Sequence, residues 1–214
     1  GEGDDVVMGG AGDDVIYAGD SWAGSGVEGI DKLDGGDGDD TFFFQLQDGG
    51  AGIGAGLTST DEVAGGDGSD TVELLNAAED LRDGVFNNWS SVEKLQLSDT
   101  TFFGGATQNL LTINQIANDR GVNHIVGSSL VDEINVGEGF VNDLLIDLSD
   151  GGNDILAAAD AKGAITVFST AGDIDAGDSL VFGTSNSDTV LLEAGNDTAD
   201  LDGVNSAEFV KVQS

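Results

Sequence analysis

The residues of this chain that can do chemistry are aspartates, and they recur at fixed places. Gly1-Glu-Gly-Asp-Asp-Val-Val-Met8 and Gly9-Gly-Ala-Gly-Asp-Asp-Val-Ile-Tyr17 superpose at a period of nine. The phrase returns from Gly35 to Phe43 and from Gly65 to Glu73, each preceded by a weaker copy in register, Gly29–Leu33 and Thr60–Val63. The constant skeleton is an Asp followed two residues later by an apolar residue: Asp5/Val7, Asp14/Ile16, Asp31/Leu33, Asp40/Phe42, Asp61/Val63 and Asp70/Val72. An Asp in the sixth place adds a carboxylate to the backbone carbonyls of a glycine-rich turn, and such hard oxygen donors suit calcium. The candidate ligands are therefore Asp5, Asp14, Asp31, Asp40, Asp61 and Asp70. The turn glycines Gly10, Gly12, Gly36, Gly38, Gly66 and Gly68 join them through their carbonyls. Glycines in the first, second and fourth places permit positive φ and a tight turn, with backbone carbonyls turned toward one point. The three residues after each Asp should form a short strand with its apolar member inward.

The elements that hold these turns must come from a very acidic chain. Its 214 residues carry 6 Lys+Arg against 41 Asp+Glu, a formal net charge of −35. Of the acids 31 are Asp and 10 Glu, which favours turns and hard-cation sites over a solvated helix. Such a charge repels nucleic acid and anionic membrane. No apolar run approaches the ~20 residues of a membrane span. Cysteine and proline are absent and His124 stands alone, so disulfides, thiolate sites and His-rich zinc clusters are excluded. The chain starts at Gly1 rather than Met, as a fragment or processed chain would. A hydrophobic content of 39% argues for a core rather than a disordered linker. Carboxylates ~5 Å apart repel by about 3 kcal/mol at an effective dielectric of ~20. Six basic residues cannot offset that, whereas bound divalent ions can.

The Gly-Asp nonapeptide resembles that of the repeats-in-toxin (RTX) family, whose repeats form a calcium-binding parallel β-roll. The resemblance covers residues 1–75, read as one RTX β-roll domain. It implies that two nonapeptides make one coil, with each ion between turns stacked on one side. Each turn then offers half a site. The register is broken at Ser21–Gly26 around Trp22 and at Asp48–Gly56, so insertions interrupt the roll.

Residues 76–214 read as a second, irregular β-rich, solenoid-like region. Ser69-Asp-Thr-Val-Glu-Leu-Leu75 resembles Ser187-Asp-Thr-Val-Leu-Leu-Glu193, and Ser91–Leu97 resembles Ser206–Val212. The offsets, 118 between Asp70 and Asp188 and 115 between Glu93 and Glu208, suggest a duplicated unit. This Val-Glu-x-Leu pattern is similar to segments of bacterial surface-layer proteins and large RTX adhesins. Asp132/Ile134, Asp143/Leu145 and Asp154/Leu156 keep the skeleton at a spacing of eleven. Asp154 and Asp188 join the candidate metal ligands; Asp132, Asp143 and Asp197 stand between that role and a solvated acidic one. Asp4, Asp13, Asp37, Asp39 and Asp67 read as electrostatic support, with the fifth place facing solvent. Glu93–Leu97, Thr166–Phe168 and Phe209–Val212 alternate as strands do, and Thr112–Asn118 suits one short helix. The stretch from Asp173 to Leu180 lacks the distal Glu of an EF-hand loop. The expected class is all-β, a calcium-binding parallel β-roll or β-solenoid with insertions.

Other chemistry finds little purchase. Trp22 and Trp89 read as packing residues before sugar platforms, and Phe42-Phe-Phe44 as strand core. His124 has no nucleophile elbow to serve, and no carboxylate pair among 41 acids is singled out for glycoside hydrolysis. The expected function is structural and non-enzymatic. The chain reads as a calcium-stabilised segment of a secreted surface-layer or filament-forming RTX protein, exported by type I secretion. It should fold and self-associate into sheets or fibres outside the cell. The alternatives are an extender segment of an RTX adhesin, or the C-terminal translocation module of an exported enzyme.

Overall fold

The protein is described from a computed structural model covering residues 3–18, 29–46, 57–78, 80–101, 107–170, 173–174, 177–183, 187–193, 204–205 and 209–213. The chain winds as a parallel β-solenoid. Its first coils pair β1 (Val6–Ala11) with β2 (Val15–Ala18), β3 (Lys32–Asp37) with β4 (Thr41–Phe44), and β5 (Glu62–Asp67) with β6 (Thr71–Leu74). The next coil runs through β7 (Leu81–Arg82), a 3-10 helix (Asp83–Asn88), β8 (Trp89–Ser90) and β9 (Lys94–Gln96). Then follow β10 (Gln108–Ile113), α1 (Gln115–Arg120) and β11 (His124–Val126). The remaining pairs are β12 (Val131–Val136) with β13 (Leu144–Asp147), and β14 (Ile155–Ala157) with β15 (Ile165–Thr170). After these come β16 (Ser179–Val181) with β17 (Thr189–Glu193), and β18 (Val204–Asn205) with β19 (Phe209–Gln213). The expected strands at 93–97, 166–168 and 209–212 are thus β9, β15 and β19. The short helix falls at Gln115–Arg120, a few residues later than the sequence suggests.

One face is a nine-stranded sheet in the order β19-β17-β15-β13-β11-β9-β6-β4-β2. The other face is divided into β1-β3-β5-β8 and β18-β16-β14-β12-β10-β7. All pairings are parallel, and equivalent residues stack in register: Ile16, Phe42, Val72, Leu95, Ile125, Ile146, Val167 and Val190 form one row. That row is the core, each member at most 5% exposed. Period-two alternation explains it, since every second residue of a strand turns inward. In Thr41-Phe-Phe-Phe44, Phe42 and Phe44 are buried while Phe43 faces outward and stacks on Tyr17 at 4.8 Å. Trp89 is buried edge-on to Phe86 and closes the four-stranded sheet, the packing role its sequence context suggests. Trp22 and both insertions lie outside the described residues.

Candidate metal seam

Three turns join the paired strands of the first coils: Gly9–Asp14, Gly35–Asp40 and Gly65–Asp70. In each, the second and fourth glycines have positive φ, 112° and 128° at Gly36 and Gly38. The first-place glycines do not use that freedom. Their smallness serves another end. A Cβ on Gly9 would lie 2.6 Å from both Asp14 Oδ2 and the Gly35 carbonyl oxygen. Gly35 and Gly65 repeat the arrangement, each with the sixth-place Asp Oδ2 of its own turn and a carbonyl from the following coil. The missing side chain leaves room for carboxylate and carbonyl oxygens to converge.

The aspartates lace the coils in two directions. Asp14 and Asp40 donate their backbone N–H to Oδ1 of Asp40 and Asp70, at 2.8 Å each. Asp70 N–H donates in turn to Glu93 Oε2 at 2.9 Å. The fifth-place residues run the opposite way: Asp13 Oδ1 accepts from Asp39 N–H at 3.0 Å, and Asp39 Oδ1 from Ser69 N–H at 2.8 Å. Fifth-place carboxylates are exposed as expected, yet they also stitch successive coils. The break in register between Asp14 and Asp31 does not disturb the stacking of Asp14 on Asp40.

The sixth-place carboxylates are left half-satisfied. Oδ2 of Asp14, Asp40 and Asp70 is buried with no hydrogen-bond partner. Burial pushes the Asp70 carboxyl up, and Glu93, Asp40 and Asp39 add to it, against the hydrogen bond from Asp40 N–H. A buried anionic oxygen without a partner is costly, and a cation among hard oxygens is the usual remedy. Among the described residues no three acidic or His side chains converge as a metal cluster, so backbone carbonyls would have to complete any such cage.

The other candidate ligands sit elsewhere. Asp5, Asp31 and Asp61 open β1, β3 and β5 on the opposite side of the coil, where Asp5 N–H donates to Asp31 Oδ1 and Asp31 N–H to Asp61 Oδ1. Burial raises the Asp31 carboxyl, with Asp61 and Asp5 adding to the shift. In the later coils Asp132 N–H donates to Asp154 Oδ1 at 3.0 Å and Asp154 N–H to Asp178 Oδ1 at 2.7 Å. Asp132 also accepts from Asn109 Nδ2, Ser128 N–H and Ser128 Oγ. Asp188 is buried beside β15 and accepts from Ile165 N–H at 2.8 Å. Exposed Asp143 accepts from Ala164 N–H; Asp197 lies outside the described residues. Asp178 was not singled out by the sequence, although Asp178/Leu180 keeps the Asp-x-apolar skeleton. Nor were the neutral stitches: Asn76 accepts from Leu46 N–H, Asn109 from Ala78 N–H, and Asn118 from Val141 and Asn142 N–H.

Burial, with Asp132, Asp178 and Asp173 nearby, pushes the Asp154 carboxyl up to about 8. Its unfolded value is about 3.9. The folded state therefore holds a proton that the unfolded state loses. The stability this group contributes is full below about pH 4 and is lost as pH rises through about 8. In chelator, Asp154→Asn is expected to flatten this fall in urea midpoints between pH 5 and 8.5. An unchanged slope would place the titration elsewhere.

Family models, curated proteins and solved structures were compared with the chain, and none matches.

Proposed function

We propose that this chain is a calcium-stabilised structural segment of a secreted surface-layer or filament-forming protein, and that it acts by assembly rather than catalysis. The observation that carries the reading is the stack of three Gly-Asp turns whose buried Asp14, Asp40 and Asp70 Oδ2 atoms lack partners beside carbonyl oxygens. These residues would hold the ions, and the ions would supply the positive charge that a chain of −35 needs to compact. Because each turn offers half a site, binding energy is folding energy. Such a chain keeps its Gly-Asp coils open where calcium is scarce and closes them on reaching calcium-rich surroundings. The solenoid form suits assembly: β2 and β19 are the outer strands of the nine-stranded sheet among the described residues, and strand edges are templates for pairing.

The test is electron microscopy with light scattering, in millimolar-range calcium and in chelator. Ordered sheets or fibres that dissolve on chelation are expected. A strictly monomeric species at high concentration in calcium would overturn the assembly role.

A further inference from the structure

We infer that the ions lie along one side of the coil only, in the two spaces between the turns Gly9–Asp14, Gly35–Asp40 and Gly65–Asp70. The Asp5–Asp31–Asp61 side is then closed by hydrogen bonds alone. The inference rests on the calcium reading above and assigns its ligands.

Two observations separate the sides. The first is local conformation. On the Asp14–Asp40–Asp70 side both the second and fourth places are glycines with positive φ, between 101° and 140°. On the other side Val27 and Leu57 stand in the second place, and Ser59 takes the fourth place before Asp61. Leu57 is fully buried, so this strand approach is anchored in the core. Gly29, in the fourth place before Asp31, lacks positive φ, and a Cβ there would strike the backbone of Gly3 and Asp4 rather than an Asp oxygen. Among the described residues of this side only Gly3, in the fourth place before Asp5, has positive φ, at 97°.

The second observation is the state of the carboxylates. Both oxygens of Asp61 are engaged: Oδ1 by Asp31 N–H at 3.1 Å, Oδ2 by Thr58 N–H at 2.6 Å and Thr58 Oγ1 at 3.0 Å. An oxygen with two protein donors has little left for a cation. On the opposite side each of Asp14, Asp40 and Asp70 keeps a buried Oδ2 with no donor. Column ends differ as well, since Thr58 finishes one and Glu93 the other. Calcium has one seam to occupy.

Calorimetric titration of calcium into the whole chain tests this with Asp→Asn variants, which retain the amide-accepting Oδ1 and remove the charge. Asp40→Asn touches both spaces and is expected to lose two ions relative to the unsubstituted protein. Asp14→Asn borders one space and should lose one. Asp31→Asn and Asp61→Asn should bind the full number. Loss of an ion in either of the last two, with far-ultraviolet circular dichroism unchanged, would overturn the one-sided seam. Absence of binding in the unsubstituted protein would instead overturn the calcium reading itself. Should Asp40→Asn fail to fold in calcium, Asp14→Asn at the outermost turn decides: an undiminished ion count there also overturns the seam.

Discussion

Hydrogen exchange in excess chelator is expected to strip protection from the amides of β1 to β6 while those of β10, β12, β13 and β15 stay slow. The difference follows from how the coils are stitched. The early coils hold Asp14, Asp40 and Asp70 against one another, with buried carboxylate oxygens that lack a hydrogen-bond partner and that the proposed cations would satisfy. The middle coils also stack aspartates, Asp132 on Asp154 and Asp154 on Asp178. There, however, both Asp132 oxygens have donors in Asn109 and Ser128. Amides add their own stitches, Asn109 to Ala78 N–H and Asn118 to Val141 and Asn142. An amide stitch needs no counter-ion. The middle also buries Trp89, Phe86, Phe140, Leu111 and Ile113 at 1% exposure or less, material for a core that stands without calcium. Asp83 adds a cap, accepting from Asn114, Ile116 and Ala117 N–H at the start of α1. Protection lost uniformly along the chain would mean that the coils fold as one unit; protection unchanged throughout would mean that calcium does not hold the early coils.

Asp40→Ala is expected to destabilise the protein in calcium far more than Asp39→Ala. Asp40 is 1% exposed, and its Oδ1 is the partner of Asp14 N–H. Truncation orphans that donor, a cost of about 1–3 kcal/mol, and on the calcium reading it also removes a ligand from both spaces of the seam. Asp39 also makes an inter-coil bond, to Ser69 N–H, but in the open, where water replaces a lost acceptor. A loss of ~1 kcal/mol or less fits such a bond. Urea unfolding at fixed calcium measures both. In chelator the gap should shrink, because the cation part of the Asp40 effect is then gone. Equal losses in calcium would mean that the sixth place has no special ligand role and that the register assigned to the repeat is wrong.

The repeat made the solenoid legible. Asp-x-apolar at fixed places sets the turn, the strand start and the inward side chain at once, so β2, β4 and β6 could be read from Ile16, Phe42 and Val72. The stacking of the Gly-Asp turns was legible for the same reason. What escaped was mostly what depends on a neighbouring coil. Gly9 and Gly35 look like turn glycines, but their lack of a side chain makes room for the oxygens beside them. Asp31 and Asp61 look like Asp40 in the pattern, but within its own turn Thr58 closes on Asp61, a local contact the repeat does not mark. Asn76, Asn109 and Asn118 belong to no repeat, because an amide stitch requires only one acceptor at the right height.

The divided face has a mechanical consequence. Tension along the solenoid axis passes from coil to coil through the sheet hydrogen bonds, which lie in series. Between β10 and β12 six residue pairs share it, but β5 meets β8 through two, and β7 meets β10 through two. From β8 to β7 on that face the pull is carried by the covalent backbone of Asp83–Asn88, wedged by Phe86 and Trp89. The coil itself cannot be unzipped there, yet the seams on either side hold two pairs each, a thinness matched on that face among the described residues only by β16 against β18. A solenoid of this chain pulled along its axis would part first on this face, beside Trp89 or at β18, while the nine-stranded sheet, with β6 and β9 joined by three pairs, still carried the load.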